Sequence, residues 1–179
     1  LGDGIADAAT IDRVCRTAGG FRMGPFELID LIGLDVNLSV ARSFFAQGGE
    51  PERWRPSPIQ ENLVAEGHLG RKSGQGFYDY SDPPHPSSAV PSHQLSRQGN
   101  SGTGELTLDP EALARIDPAA PAILPRLVAQ IANEAAFALE EEIGSSQDMD
   151  TAMRLGFNWP RGPIAVSYTH LTLPTTSRV

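Results

Sequence analysis

Few residues in this chain have a type and spacing that could carry chemistry, and each has a structural explanation. The segment GHLGRKS at 67–73 is similar to a phosphate-binding loop, but that loop places Lys directly after its second Gly, and here Arg71 intervenes. Gly74-x-Gly76 and Gly102-x-Gly104 are incomplete dinucleotide-binding patterns, because no predicted strand precedes them and no predicted helix follows. The sequence therefore predicts no nucleotide site.

The titratable side chains do not suggest a catalytic or metal-binding group either. His68 stands alone at a predicted helix end, and His85 and His93 lie in a Pro-rich segment that offers no further ligand. Cys15 falls on the apolar side of a predicted helix, which is typical of a small core residue rather than a nucleophile. Glu140-Glu141-Glu142 is typical of a solvated helix end. We therefore predict no catalytic residue and no metal site in this chain.

Composition and charge exclude several classes of protein. The chain has 179 residues, and 40% of them are hydrophobic, which is enough for a folded core. Its 14 Lys and Arg against 22 Asp and Glu give a net charge of −8, so no nucleic-acid partner is expected. No apolar run approaches about 18 residues, which predicts no membrane span. A single cysteine excludes an internal disulfide and fits a reducing, cytoplasmic location.

An internal repeat is the strongest pattern in the chain. Residues 5–25 align without a gap on residues 143–163, at an offset of 138. Asp7 and Ser145 are N-cap candidates at matched positions, each followed by about three turns of helix. The repeat indicates a duplication or a pseudo-two-fold arrangement of helices. The identical matched residues are Ile5 and Ile143, Asp12 and Asp150, Arg16 and Arg154, and Gly24-Pro25 and Gly162-Pro163.

The hydrophobic periodicity is helical almost throughout, so we predict an all-α fold. Pro25 suits the first turn of a helix that Gly33 ends. Asp35 is expected to cap a second helix, which a glycine pair ends, and Ser57-Pro58-Ile59-Gln60 has the pattern of a capping box that begins a third. Apolar residues between Leu124 and Leu139 recur at helical spacing and predict a longer helix.

The chain divides by composition into two patterned regions and a segment between them. Residues 81–121 hold seven Pro, six Ser and three Gly. Such a segment buries too little apolar surface to offset the entropy of ordering it, so it is predicted to be a flexible linker, with a short helical turn at Glu111–Arg115. The patterned regions are residues 1–80 and 122–164.

Both patterned regions carry motifs specific to one family. The segments FRMGPFELIDLIGLDV at 21–36 and RPSPIQENLVAEGHLGRKSGQGFYDY at 55–80 closely resemble the C-terminal helical domain of bacterial 3-hydroxyacyl-CoA dehydrogenases, in order and separation. Residues 133–163 resemble the extra copy of that domain in longer bacterial members. The resemblance predicts that residues 1–80 are a first copy whose start is missing, and that residues 122–164 are a truncated second copy.

The resemblance implies an activity for the intact enzyme, the NAD-dependent oxidation of 3-hydroxyacyl-CoA to 3-oxoacyl-CoA in fatty acid or phenylacetate catabolism. In the family the NAD-binding domain and the catalytic His–Glu pair precede this helical domain. NAD is therefore expected as the cofactor of the full-length enzyme, with none bound by this fragment. An alternative is a stand-alone helical dimerisation or binding module without catalysis.

The family assigns dimerisation and closure over the fatty acyl part of the substrate to this domain. Met23, Gly24 and Pro25 match the segment near the acyl pocket and are the expected substrate-binding residues, although packing at a helix start explains them about as well. The expected partners are an acyl-CoA substrate and a second copy in a homodimer. The apolar residues of 25–47 predict self-association, since they exceed what one small unit covers. They include Phe26, Leu31, Leu38, Phe44 and Phe45.

The last fifteen residues differ from the rest. Residues 165–179, AVSYTHLTLPTTSRV, show neither helical periodicity nor the family pattern, and VSYTHLTLPTT resembles a translated transposase-type sequencing adapter. We therefore expect this segment to be non-native and exclude Tyr168 and His170 from functional arguments. Because Leu1 also falls inside a patterned region, the sequence is predicted to be a fragment cut at both ends.

Overall fold

The computed structural model describes residues 1–2, 4–49, 51–81, 108–156, 159 and 161–170, and within these the chain is helical with no strand. This confirms the predicted all-α fold. Two short 3₁₀ turns, Glu52–Trp54 and Arg71–Ser73, accompany the α-helices. The helices are α1 Ala8–Thr17, α2 Pro25–Ile32, α3 Leu34–Gln47, α4 Pro58–Ala65, α5 Pro110–Ile116, α6 Ala120–Glu140, α7 Ser146–Gly156 and α8 Pro163–His170.

The chain forms two compact units. Unit 1 comprises Leu1–Gly4 and Met23–Asn100, and it contains α2, α3 and α4. Unit 2 comprises Ile5–Arg22 and Ser101–Val179, and it contains α1 and α5 to α8. Helix α1, which belongs to the first copy of the repeat by sequence, therefore folds in the same unit as the second copy.

In unit 1 the boundary between α2 and α3 is set by one glycine. Gly33 has φ 108, a value that L-residues avoid, and it ends α2 and precedes Leu34 of α3. Asp35 was expected to cap α3, and this was wrong. The cap position is occupied by Gly33, and Asp35 lies in the first turn, where its carboxylate pairs with the ammonium group of Lys72. Helix α3 ends at Gly48, as predicted.

Helix α4 begins after Ser57 with Pro58 in its first turn, as predicted, but the capping box does not form. The Ser57 side chain makes no capping hydrogen bond. Gln60 instead points into unit 1, where its Nε2 donates to the Leu34 carbonyl at 3.0 Å and to Asn37 Oδ1 at 2.9 Å. The glutamine that a capping box would need is therefore used to join α4 to α3.

Unit 2 is built around α6, on which α1, α5 and α8 pack. Its core consists of Val14, Leu113, Ala120, Ile123, Leu124, Val128 and Val166. Among the described residues α6 is the one helix long and apolar enough to cross a membrane by length and composition alone. The central helix of a water-exposed protein passes the same test, and α6 contributes most of this core, so the test decides nothing by itself.

The predicted linker does not extend over residues 108–121. Helix α5 confirms the predicted turn at Glu111–Arg115, and the Asp109 carboxylate caps it by accepting from the Ala112 N–H at 2.9 Å. Leu113 and Ala120 are fully buried, which holds this part of the chain in the core of unit 2. Residues 82–107 lie outside the described residues.

The repeat is reproduced in three dimensions. Asp7 Oδ1 accepts from the Thr10 N–H at 2.7 Å, and at the matched positions Ser145 Oγ accepts from the Asp148 N–H at 3.2 Å. Helices α2 and α8 begin at matched prolines and end at matched residues. Helix α8 therefore continues past Ile164, where the second copy was expected to end. Residues 171–179 lie outside the described residues.

Candidate functional site

Met23, Gly24 and Pro25, the expected substrate-binding residues, form the turn that begins α2. Gly24 is buried with an extended backbone (φ −71, ψ 151), and its N–H donates to the Glu27 carboxylate at 3.2 Å. Pro25 takes the first helical position, where its missing N–H costs nothing. Met23 and Pro25 are half-buried. The structure thus brings the three residues together on one turn, and their contact with a substrate stays a prediction.

Behind this turn, a buried carboxylate organises unit 1. Asp30 on α2 is 1% exposed and accepts three hydrogen bonds from the second family motif. The donors are the Phe77 N–H at 2.9 Å, the Tyr78 N–H at 3.0 Å and the Tyr80 hydroxyl at 2.9 Å. A buried carboxylate needs such donors, since burying an unsatisfied charge is costly. Asp30 therefore fastens the end of the motif GRKSGQGFYDY to α2.

Two glycines of this motif are explained by the same carboxylate-bearing residue. A Cβ on Gly70, which has φ 92, would collide with the main-chain oxygen of Asp30, and a Cβ on Gly76 would collide with its carboxylate. The loop between them is closed by the Gly70 N–H, which donates to the Gln75 carbonyl at 2.7 Å. In the dinucleotide-like pattern Gly74-x-Gly76, Gly76 therefore has a packing cause, and Gly74 has a left-handed backbone with φ 78.

Asp30 is not among the residues predicted from the sequence. The surrounding helix was predicted to be an apolar side, although one acidic residue among Leu28, Ile29, Leu31 and Ile32 was a usable signal. Tyr80 is partly buried beside Asp30. Burial, followed by its hydrogen bond to Asp30, raises the pKa of the Tyr80 hydroxyl well above its usual value of 10, so it stays protonated in the folded protein.

The basic residues of the motif are also engaged within unit 1. Lys72 pairs with Asp35, and this hydrogen bond lowers the pKa of the Asp35 carboxyl. The Arg71 guanidinium lies 5.5 Å from the centroid of the Tyr80 ring. Both basic side chains of the segment 67–73 therefore contact residues of unit 1.

Unit 1 leaves two apolar stripes exposed on neighbouring helices, and we call them the α2–α3 stripes. On α2 they comprise Leu28, Leu31 and Ile32, and on α3 they comprise Val36, Val40 and Phe44, with 40–61% of each side chain exposed. The spacing of three or four residues places each set on one side of its helix. Of the residues expected to be uncovered, Leu31 and Phe44 are exposed. Leu38 is only 2% exposed, and the Phe26 ring packs on Phe77.

Unit 2 contains a small apolar cavity beside a pair of aromatic rings. The rings of Phe21 and Trp159 meet edge to face with centroids 5.0 Å apart, and these two residues occupy matched positions in the repeat. The cavity has a volume of about 20 Å³, which is enough for one water molecule and far too little for an acyl chain. Residues lining it include Phe21, Leu124, Val128, Trp159 and Arg161.

The remaining candidates carry no chemistry in the part of the chain that the structure describes. No group of three His, Cys, Asp or Glu there could hold a metal ion. Burial raises the pKa of the Cys15 thiol to about 11, which keeps it unreactive at neutral pH. Glu140-Glu141-Glu142 is exposed, as predicted, and His68 Nδ1 lies 3.5 Å from the Glu66 carboxylate. His85 and His93 lie outside the described residues.

The described residues also do not fit a nicotinamide dinucleotide. Such a cofactor binds where a strand passes through a glycine-rich turn into a helix. The described ranges contain no strand, and Gly74 and Gly76 lie after a 3₁₀ turn, with Gly76 packed against Asp30. No step of a reaction is therefore assigned to a cofactor held by these residues.

Comparison with known proteins identifies the family. The family model for the C-terminal domain of 3-hydroxyacyl-CoA dehydrogenase matches residues 1–80 and 123–176, which contain the two copies of the repeat. The 3-hydroxyadipyl-CoA dehydrogenase of Escherichia coli is 32% identical over 226 residues, covering 92% of this chain and 48% of the relative. The mitochondrial hydroxyacyl-coenzyme A dehydrogenase of Rattus norvegicus is 40% identical over 77 residues, 43% of this chain and 24% of the relative.

A solved structure supports the same assignment. The crystal structure of 3-hydroxybutyryl-CoA dehydrogenase from Escherichia coli K12 superposes with a TM-score of 0.71 at 31% identity, covering 94% of this chain and 49% of that protein. The chain thus spans about half the length of these bacterial relatives. On the two matched segments, the two family motifs and the shared fold, the chain belongs to the 3-hydroxyacyl-CoA dehydrogenase family, through the C-terminal helical domain of its members.

Proposed function

We propose that this chain is part of an NAD-dependent oxidoreductase that converts 3-hydroxyacyl-CoA to 3-oxoacyl-CoA, and that the part described here serves dimerisation and closure over the acyl group. The observation that carries the proposal is the Asp30 network. A residue of the first family motif binds the backbone and the tyrosine of the second, so the two motifs fold as one object. The names of the bacterial relatives support an acyl-CoA substrate.

The substrate role falls to the turn that begins α2. Met23 offers a flexible apolar side chain, and the Gly24-Pro25 backbone fixes where it stands. The Asp30 network lies further along α2, which it binds to the second family motif. In this proposal Met23, Gly24 and Pro25 contact the acyl chain, while NAD and the acid–base residues belong to other parts of a longer chain.

The dimerisation role falls to the α2–α3 stripes. Their six exposed apolar side chains form regular rows on two helices, which is typical of an interaction surface. In this proposal residues 1–80 form one copy of the domain, and a second copy begins at residue 122 and includes α8. The proposed partner on the stripes is a second chain.

A chimera tests the enzymatic proposal. The matching portion of the Escherichia coli 3-hydroxyadipyl-CoA dehydrogenase is replaced by this chain, and NADH consumption with acetoacetyl-CoA is followed. We expect turnover from the chimera and none from the chain alone, because a general acid or base must lie within hydrogen-bond reach of the reacting oxygen. Met23→Asp should raise KM for the acyl-CoA with KM for NADH unchanged, and Glu66→Gln on the surface is the matched control.

The alternative, a helical binding module without catalysis, predicts a different result. It is favoured if the chimera folds and binds NADH but does not turn over. Turnover by the chain alone would contradict the proposed division of labour. If Met23→Asp changes both KM values equally, the turn that begins α2 is not an acyl-binding element.

Sedimentation velocity tests the dimer. We expect the chain to dimerise at tens of micromolar and Phe44→Asp to remove the dimer, because a charge placed on the most exposed residue of the α3 stripe is desolvated on association. Leu155→Asp is the control, since Leu155 is also exposed but lies on α7 in unit 2. A monomeric parent chain, or a dimer that survives Phe44→Asp, removes the proposed interface.

A further inference from the structure

Unit 1 buries a second carboxylate on α2, and the Asp30 network does not account for it. Glu27 is 5% exposed and lies in the first turn of α2. Its Oε2 accepts from the Gly24 N–H at 3.2 Å, so this carboxylate binds the middle residue of the turn that begins the helix. Asp30 and Gln60, which are also buried in unit 1, instead join elements that lie far apart along the chain.

A complete capping box elsewhere in the chain shows what is unusual about Glu27. At the start of α7, the Ser145 N–H donates to Asp148 Oδ2 at 3.2 Å, and Ser145 Oγ accepts from the Asp148 N–H at 3.2 Å. Gly24 has no side chain, so the half of the box that satisfies an N–H of the helix itself is missing from α2. Asp148 is exposed, whereas Glu27 is buried at a cost in desolvation. The bond from Gly24 to Glu27 therefore serves the turn before the helix.

This hydrogen bond also restrains Met23. The Gly24 N–H and the Met23 carbonyl belong to one peptide group, which is planar, so holding the N–H sets the plane of that group. On the other side of Gly24, the ring of Pro25 restricts the backbone by itself. Gly24 is otherwise the residue of this turn with the widest choice of conformations. Glu27 thus restrains the backbone from which the Met23 side chain projects.

We propose, on the basis of the function proposed above for this turn, that Glu27 is a positioning residue for acyl recognition. By holding the Gly24 N–H, its buried carboxylate sets where Met23 meets the acyl group of the substrate. Glu27 itself touches no substrate in this arrangement. Its loss should therefore weaken acyl-CoA binding and leave both the chemical step and cofactor binding unchanged.

The first measurement uses the full chain and asks whether Glu27 holds the turn. Glu27→Met keeps the approximate length and volume of the side chain but removes the acceptor, and Glu27→Gln keeps an acceptor oxygen. We expect hydrogen exchange of the Gly24 amide, followed by NMR, to become about tenfold faster in Glu27→Met and to stay within about threefold of the parent in Glu27→Gln. Equal exchange in Glu27→Met and the parent overturns the proposal.

The second measurement uses the chimera with the Escherichia coli relative. We expect Glu27→Met to raise KM for acetoacetyl-CoA about tenfold, with kcat and KM for NADH within about twofold of the parent, and Glu27→Gln to restore most of the affinity. A merely structural role would lower the urea midpoint without separating the two KM values. Glu27→Ala carries the same test if Glu27→Met does not fold.

Asp148→Ala is the matched control, because it removes a hydrogen bond of the same length at the start of α7 and should leave all three constants unchanged. A parent chimera that folds but does not turn over refutes the proposed function, and this proposal with it. A chimera that turns over while Glu27→Met leaves KM for acetoacetyl-CoA unchanged overturns this proposal alone. An equal rise in both KM values, or the same effect from Asp148→Ala, also overturns it.

Discussion

Replacing Asp30 by Asn should loosen the end of unit 1 while leaving its helices in place. The substitution keeps the shape of the side chain but turns one of its two acceptors into a donor. Asp30 Oδ2 accepts from both the Tyr78 N–H and the Tyr80 hydroxyl, and Oδ1 accepts from the Phe77 N–H. In either orientation of the amide, at least one backbone N–H then faces another donor.

The size of the effect follows from these bonds. A buried donor left unsatisfied costs about 1–3 kcal/mol, and hydrogen bonds to a charged acceptor contribute about 1.5–3 kcal/mol each. We therefore expect Asp30→Asn to cost about 2–3 kcal/mol locally. At about 1.4 kcal/mol per factor of ten, amide hydrogen exchange at Phe77 and Tyr78 should become about 30- to 150-fold faster.

Hydrogen exchange read by mass spectrometry over residues 69–80 measures this locally. Tyr80→Phe removes one of the three bonds and should cost about 1 kcal/mol. In the double variant the total cost should be smaller than the sum of the two single costs, because both substitutions affect the hydrogen bond at Asp30 Oδ2. Glu66→Gln, with an exposed side chain, is the control. Exchange in Asp30→Asn within about threefold of the parent would refute the role given to this carboxylate.

Three further substitutions or conditions test other parts of the structure. Gly70→Ala should cost at least about 3 kcal/mol in urea unfolding because its Cβ meets the backbone of Asp30, whereas Gly49→Ala, with positive φ but open space, should cost about 1 kcal/mol. Cys15 should react with a thiol reagent at pH 8 only in denaturant, since burial raises its pKa to about 11; reaction at the rate of a small thiol in the native protein would contradict this. Arg13 lowers the pKa of Asp117 in the folded protein, so the stability that Asp117 contributes should be present above its usual pKa of 3.8 and be lost as the pH falls below it. When the urea midpoint is measured against pH, Arg13→Ala should reduce this loss of stability at acidic pH.

The ends of helices were predictable from the sequence because local chemistry decides them. Pro25 begins its helix, Asp7 and Ser145 provide capping oxygens, and these three assignments are confirmed. Asp35 is the exception. The Asp35 carboxylate could cap α3 or form an ion pair. Its ion-pair partner, Lys72, lies 37 residues further along the chain, so the local sequence did not indicate it.

Large separation along the sequence also explains why the Asp30 network was not predicted. Its donors lie 47 to 50 residues further along the chain, so no local pattern connects them. The family resemblance found both motifs correctly but could not say that one residue joins them. The glycines at Gly70 and Gly76 then looked like fragments of nucleotide-binding loops, although the backbone and carboxylate of Asp30 are what require them.

Composition failed where it was averaged over too long a segment. The prolines and serines of 81–121 outweigh a short helix whose single fully buried leucine, Leu113, is enough to anchor it once α6 is present. A count of residue types within the segment does not show that α6 will pack on it. The site residues Met23, Gly24 and Pro25 show the opposite limit, since a helix start and an acyl contact favour the same residue types.

The repeat predicts that two copies exist, but it leaves open which helix packs on which. Matched helices carry similar apolar faces, so periodicity alone allows α6 to pair with α1 or with α7. The choice is made where the copies differ, and the difference that stands out is charge. Arg13 in α1 meets the buried Asp117, whereas α7 has Thr151 at that position and would leave this carboxylate without its cation. A buried carboxylate that loses its cationic partner is strongly destabilised. The residues at which a duplicated sequence has diverged, rather than those it has kept, therefore decide how its copies assemble.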